Sequence, residues 1–311
     1  MSERVLDPRP VDHDDPVRPS ALVLPAVAFD PPLDERQPWL ERYDPVDALT
    51  IPGLERPLFL CEGGVAVTTT GLGKSDAATT VAALAAAPGV DLESAYVLSA
   101  GIAGSSPATA ALGSVFVADA ILDWDRKHRW DRDERTDGPP IDVLAYQPDD
   151  AVTRLNDDLV DVAVTAADEV DLESDEAVRE YQRRYPDAGD DRPTVGVGTT
   201  VTGDEFWHGS GVAREVEWLC DAYDVGPYAT TQMEDAATAT VLERFDLLER
   251  YLSVRAVANY DRPAPDQSVE ESFDGTTESL ELAVENAARA GSAVVDGLLT
   301  ADPLEIGPSS R

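Results

Sequence analysis

Short apolar runs recur along the chain, divided by glycine- and proline-containing turns and by charged segments of helical spacing. Ala21-Leu22-Val23-Leu24 has no polar position, the pattern of a short strand buried on both faces. The turn-rich Asp30-Pro31-Pro32 follows, and a helix is expected from about Asp34 to Arg42. Pro57–Leu60 and Val65–Thr68 read as paired strands around Gly63-Gly64. Gly71-Leu72-Gly73 then turns the chain into an Ala-rich helix from Ser75 to about Ala87, and Tyr96–Leu98 and Ser114–Val117 continue the sheet. The pattern lapses over Arg126–Asp150, a long loop, and resumes as a helix over about Ala151–Asp168. Residues 173–193 are a polar excursion with one short helix. Strand character returns at Thr194–Val197 and Ser253–Val257, with helices after Glu234 and over about Ser279–Leu299. Strands alternating with helices predict an α/β fold with a mostly parallel, covered sheet. The expected organisation is a flexible acidic leader over 1–19, a single domain over 20–300 and a loose tail over 301–311.

One uncharged stretch, Ser94 to Ala118, is long enough to span a bilayer. Gly101, Gly104, Ser105, Ser106, Pro107 and Gly113 break it into two β-like runs, so it reads as strand, glycine turn, strand. No membrane span is expected. The first residues are acidic and proline-containing without an apolar core, unlike a signal peptide.

Charge sharpens the picture. Lys and Arg total 24 against 61 Asp and Glu, a net charge of −37. Such a surface repels itself and needs counterions, which fits a high-salt cytoplasm and argues against nucleic acid as a partner. The acids are spread along the chain, whereas a mimic of nucleic acid would concentrate them on one face. Cys61 and Cys220 make no disulfide framework, and His13, His128 and His208 fall into no ligand spacing, so no metal site is expected.

Five short blocks carry candidate chemistry. Gly71-Leu72-Gly73-Lys74 is a tight strand-to-helix turn; Asp76 stands where a dinucleotide loop has its third glycine, so pyrophosphate is disfavoured. Ser99-Ala100-Gly101-Ile102-Ala103-Gly104 reads as the end of a buried strand, where ligands collect in α/β sheets. Thr202–Gly209 places Phe206 and Trp207 beside small and polar residues after a strand, a platform for a flat heterocycle. Met233-Glu234 opens a helix, and a carboxylate there accepts from vicinal hydroxyls with both oxygens. Asn259 and Asp261 end a strand and, if it continues, share a side from which either would hydrogen-bond a departing base.

In this order, Ala100–Gly104, Phe206–Gly209, Met233-Glu234-Asp235 and Asn259–Pro263 resemble the purine nucleoside permease family, within the nucleoside phosphorylase and nucleosidase superfamily. The resemblance covers about residues 20–300. It implies a three-layer α/β/α fold around a mixed sheet, a homo-oligomer, a purine nucleoside as ligand and no cofactor. Ile102, Ala103 and Gly104 would line the pocket, Phe206 and Trp207 would pack on the base, and Met233 and Glu234 would hold the ribose. Asn259 matches the position of the nucleosidases' catalytic Asp; Asp261 would serve if the strand end is shifted by two residues. Phosphorylases of this type grip phosphate with an Arg and a Ser where this chain has Ser99 and Ile102. Water is therefore the expected nucleophile, prepared by Asp30, Asp34 or Glu35, with phosphate the other candidate. Two functions remain from this reading: cleavage of the N-glycosidic bond, or nucleoside binding in support of transport.

Overall fold

The computed structural model describes residues 6–146, 151–188 and 191–307. The strands are β1 (Arg9–Pro10), β2 (Ala21–Leu24), β3 (Pro45–Thr50), β4 (Leu58–Cys61), β5 (Val65–Val67), β6 (Tyr96–Ser105), β7 (Val115–Asp123), β8 (Lys127–Arg129), β9 (Ile141–Val143), β10 (Val152–Arg154), β11 (Val195–Thr202), β12 (Tyr228–Gln232) and β13 (Tyr251–Tyr260). The helices are α1 (Gln37–Arg42), α2 (Gly73–Ala86), α3 (Asp157–Asp168), α4 (Glu176–Gln182), α5 (Ser210–Ala222), α6 (Asp235–Arg244), α7 (Val269–Ser272) and α8 (Thr277–Ala301).

Eleven strands join in one mixed sheet, ordered β1-β3-β4-β5-β2-β6-β12-β11-β7-β10, with β13 lying between β6 and β7. β13 is parallel to β6 and antiparallel to β7. Because β12 also meets β6 at Thr231 and Gly104, the strands β6, β13, β7, β11 and β12 close a ring. Helix α8 covers β6 and β13 on one side, with α1 and α3 against it, and α2 packs with α6 on the other. The expected three-layer architecture is present. The sheet is more mixed than strand–helix alternation predicts, because β7 runs against its neighbour β13.

Three local expectations change. The helix expected from about Ala151 begins at Asp157, and strand β10 (Val152–Arg154) precedes it. Residues 99–104 do not turn: β6 runs unbroken to Ser105, paired with β13 along its length across a register shift. Glycine occurs there because neighbouring side chains fill the space of a Cβ, as described below. The 126–150 loop carries the β8–β9 hairpin. Helix α5 has no counterpart in the sequence reading, although Val212, Val216 and Leu219 give it a helical apolar face. From the acidic leader, Arg9 and Pro10 pair with β3 and Val17 bridges Val90. At the other end, Asp302 accepts from the Tyr96 hydroxyl at 2.8 Å. No helix among the described residues is long and apolar enough to cross a membrane.

Candidate functional site

The chain from Pro25 folds into a compact turn that brings Glu35 back beneath the end of β2. The Glu35 N–H donates to the Val27 carbonyl, and Ala28 bridges Asp34. One carboxylate oxygen of Glu35 accepts from the N–H groups of Ala26 (2.9 Å) and Val27 (3.1 Å). The other accepts from Ile102 N–H on β6 at 2.7 Å. Burial pushes its pKa upward against these donors and Arg255. Its neighbours in the sequence do different things. Asp34 caps the start of α1 by accepting from Arg36 and Gln37, and Asp30 is exposed in the turn.

Glu234 lies at the start of α6, also buried. Its position is set from two strand ends. The Gln232 side-chain oxygen accepts from Glu234 N–H (2.7 Å) and Asp235 N–H (2.9 Å), and Thr202 Oγ1 accepts from Ala236 N–H (3.0 Å). These bonds satisfy backbone donors that a helix N-terminus leaves unpaired. Glu234 itself accepts from Gly73 N–H at 3.0 Å, at the first residue of α2, and stands 3.6 Å from the Arg255 guanidinium. Burial raises its pKa to about 7; Arg255 and the Gly73 N–H oppose the rise, and Asp235 and Glu35 add to it.

Arg255 is held by Asp235. Tyr251, Ser253 and Arg255, two residues apart on β13, all donate to this fully buried carboxylate: Tyr251 at 3.1 Å, Ser253 at 2.6 Å and Arg255 through two nitrogens. The alternation of a strand puts all three on one face. Tyr251 also lies 2.8 Å from Ser99 Oγ, so Ser99 is occupied within the core. Neither Asp235 nor Arg255 was singled out from sequence as a site residue; the available signal was a lone charged residue, Arg255, in an otherwise uncharged strand.

The Gly71–Lys74 turn is tied down by acids. Lys74 Nζ reaches both oxygens of Asp123 (2.7 and 2.8 Å) and Asp125 (3.2 Å), while Lys74 N–H donates to Asp204 at 2.7 Å. Asp204 N–H in turn donates to Asp125 at 2.9 Å. Three segments are thus joined at Lys74, its ammonium holding Asp123 and Asp125 and its backbone N–H holding Asp204.

Space is controlled at Gly101 and Gly104. A Cβ on Gly101 would lie 2.5 Å from Glu35 Oε1, and one on Gly104 would lie 2.8 Å from Thr231 Oγ1. Gly101→Ala is therefore expected to displace the Glu35 carboxylate and cost about 1–3 kcal/mol through overpacking. Chemical denaturation measures this, and an unchanged midpoint would mean that Glu35 has room to retreat.

Among the candidates, Glu35, Ile102, Gly104, Glu234 and Asn259 gather along the ends of β6, β13 and α6. Met233 is half-buried beside Glu234, and Ala103 is buried within β6. Phe206 is exposed and stands edge-on to Phe273 at 6.1 Å. Trp207 turns instead toward Tyr228. Asp261 does not share the side of Asn259, because β13 ends at Tyr260. The Asp261 carboxylate accepts from the Tyr228 hydroxyl and from Arg262 (2.6 and 3.2 Å). Asn259 donates to Phe273 O at 3.0 Å and Tyr260 O at 3.3 Å. His208 Nε2 meets Ser272 Oγ at 2.8 Å.

The model of the family described as purine nucleoside permease matches residues 21–302, nearly the whole described chain. The chain belongs to the purine nucleoside permease family. A probable purine nucleoside permease of Schizosaccharomyces pombe is 30% identical over 299 residues, spanning 85% of this chain and 86% of that protein. The purine nucleoside permease of Candida albicans is 27% identical, spanning 85% of this chain and 72% of that one. Among solved structures, the fold matches a 5′-methylthioadenosine/S-adenosylhomocysteine nucleosidase of Neisseria meningitidis in complex with methylthio-immucillin-A. That match has a TM-score of 0.60 and 20% identity, over 91% of this chain and all (100%) of that one. Futalosine hydrolase of Helicobacter pylori matches with a TM-score of 0.59 and 19% identity, over 92% of this chain and 99% of that one. This member of the permease family therefore carries the nucleoside phosphorylase-like fold of the nucleosidases.

Proposed function

We propose that this purine nucleoside permease family member binds a purine nucleoside and hydrolyses its N-glycosidic bond. The observation that carries the reading is a pair of buried carboxylates near one arginine: Glu234 stands 3.6 Å from the Arg255 guanidinium, and Glu35, bonded to Ile102 N–H on the neighbouring strand, also feels the charge of Arg255. Asn259 lies four residues further along the same strand, a separation of about 13 Å at ~3.3 Å per residue. Carboxylates at one end and an amide with exposed aromatic rings at the other suit a ligand with hydroxyls at one end and a flat heterocycle at the other. Glu234 accepts from the ribose hydroxyls, and Phe206 covers the base.

As the bond between sugar and base breaks, the electron pair leaves with the base. Positive charge develops on the ribose, beside Glu234 and Glu35. The oxygen of a water molecule joins the sugar carbon, and its proton passes to Glu35. Asn259 has no proton to give, so the base takes up its proton from solvent. The site's cations are already paired, Arg255 with Asp235 and Lys74 with Asp123 and Asp125, which supports water over phosphate as the nucleophile.

The test is release of free base from adenosine, inosine and guanosine, with and without phosphate, followed by liquid chromatography in molar KCl. Release independent of phosphate is the expected result; release only with phosphate would make the protein a phosphorylase. The ionised form of Glu234 is the one that accepts from two hydroxyls. Nucleoside affinity is therefore expected to rise with pH through about 7, the value to which burial lifts this group. Stability runs the other way: the folded state holds this proton where the unfolded chain has lost it, so the group's contribution falls as pH rises from about 4.5 to about 7.

A second reading, nucleoside binding without cleavage, is favoured by one feature. The residue at the base end is an amide, and the nearby acid, Asp261, is taken by Tyr228 and Arg262. Saturable binding with no base released over hours would establish it.

A further inference from the structure

The sequence holds 22 arginines but two lysines, and both lysines, Lys74 and Lys127, meet residues 123–125 at the end of β7. Lys127 Nζ donates to Trp124 O and lies over the Trp124 ring. Lys74, from α2, takes the acids on either side: its Nζ bonds both oxygens of Asp123 and Oδ2 of Asp125. A compact ammonium with three hydrogens suits a place between two carboxylates better than the planar fork of a guanidinium. Asp125 Oδ2 also accepts from Asp204 N–H, and Asp204 Oδ1 accepts from Lys74 N–H, which closes a circuit around one turn. The preceding N–H, that of Gly73, donates to Glu234 Oε1 at 3.0 Å. Gly73 has a φ of +81°, and a Cβ there would lie 3.0 Å from Asp204 Oδ1, so glycine lets that acid approach. Consecutive N–H groups opening α2 are thus each taken by a carboxylate, and one of the two is Glu234.

We infer that Lys74 is a positioning residue for Glu234: through Asp123, Asp125 and Asp204 it fixes the turn whose Gly73 N–H holds the Glu234 carboxylate. The inference rests on the reading above in which that carboxylate accepts from the ribose. Lys74 touches no ligand in this role. Without its ammonium, Asp123 and Asp125 repel each other, Asp125 leaves the Asp204 N–H, and the Lys74 N–H loses its acceptor. The turn is then free to carry Gly73 away from Glu234. The same clasp reaches the other side of Glu234 as well: Trp124 N–H donates to Thr202 O, and Gly203 N–H donates to the backbone oxygen of Gln232, whose side chain caps α6. The charged groups facing Glu234 are Arg255 from β13, Asp235 beside it on α6 and Glu35 from the turn after β2, none of which belongs to the clasp. The Gly73 bond favours the ionised carboxylate, so weakening it leaves Glu234 protonated to a higher pH.

The probe is formycin A, a purine nucleoside analogue whose carbon–carbon link to the sugar is not hydrolysed. Its Kd is measured by calorimetry between about pH 5 and about pH 9 on the full-length protein in molar KCl, with thermal midpoints showing that each variant is folded. Lys74→Met and Asp204→Ala are each expected to raise the pH midpoint of binding by about half a unit to one unit, the effect of weakening one hydrogen bond to a charged group. At about pH 6 this appears as a loss of affinity of about three- to tenfold, which closes by about pH 9, where Glu234 is ionised in every form. The Asp204 variant decides the cause by its sign. Removing an anion acts through space to lower the midpoint, whereas freeing the turn raises it. An unchanged midpoint in both variants, a lower one in Asp204→Ala, or a loss of affinity equal at every pH would overturn the inference and leave the reading of Glu234 intact. A native affinity that does not vary with pH, or no binding at all, would overturn the reading and the inference together.

Discussion

Replacing Glu234 by Gln is expected to lower kcat/KM for base release by at least about a hundredfold while leaving stability at pH 8 unchanged or slightly higher. The two halves of that result have one cause. Glu234 is buried, with one backbone donor and an arginine 3.6 Å away, and its pKa is raised to about 7. At pH 8 the fold therefore holds an ionised carboxylate that burial penalises. The neutral amide removes the penalty and still accepts from Gly73 N–H. What it cannot do is take two ribose hydroxyls as an anion or balance positive charge on the sugar. Glu234→Ala should lose turnover more completely. Circular dichroism melts read alongside activity separate the two roles: a large loss of stability in Glu234→Gln, with activity falling only in proportion, would make this residue a structural one.

Asp235 is the opposite case. Asp235→Ala is expected to cost about 3–5 kcal/mol, because it leaves a buried guanidinium without its anion. It also strips the Ser253 hydroxyl of its acceptor and leaves the Tyr251 hydroxyl with Ser99 alone. Against a total stability of about 5–15 kcal/mol, that loss is large enough to reduce the folded yield. The double substitution Asp235→Leu with Arg255→Met removes the charge pair as a unit and should recover much of the deficit. Denaturant titrations in molar KCl give both numbers. A cost under about 1 kcal/mol for Asp235→Ala would show that solvent or Glu234 compensates Arg255 well enough to replace the pair.

On the proposed reading adjacent residues carry separate duties, one for ligand and one for fold, and this division was only half legible in the sequence. Met233-Glu234 at a strand-to-helix junction announced itself, since a carboxylate at a helix start is visible in a one-dimensional pattern. The partner of Asp235 was not, because it comes from alternate positions of a strand whose pairing is known only in three dimensions. Glycines misled for a related reason. Gly101 and Gly104 looked like turn residues, yet they mark where Glu35 and Thr231 press against a continuous strand. Asp30, Asp34 and Glu35 were equivalent as letters; the return of the chain at Val27 buries the third, gives the second to α1 and leaves the first in water. Likewise, whether Asn259 and Asp261 share a side depended on one residue, the last of β13.

The ring of strands beneath the site has a consequence for how the protein comes into being. β6 and β7 follow one another in the chain, but the strand that fits between them is β13, more than a hundred residues later. Until Tyr260 has left the ribosome, both strands present a vacant hydrogen-bonding edge flanked by apolar side chains, the condition that invites pairing with another chain. Arg255, Asn259 and the partners of Asp235 arrive with that same strand. A nascent chain therefore has no closed centre until β13 has been made.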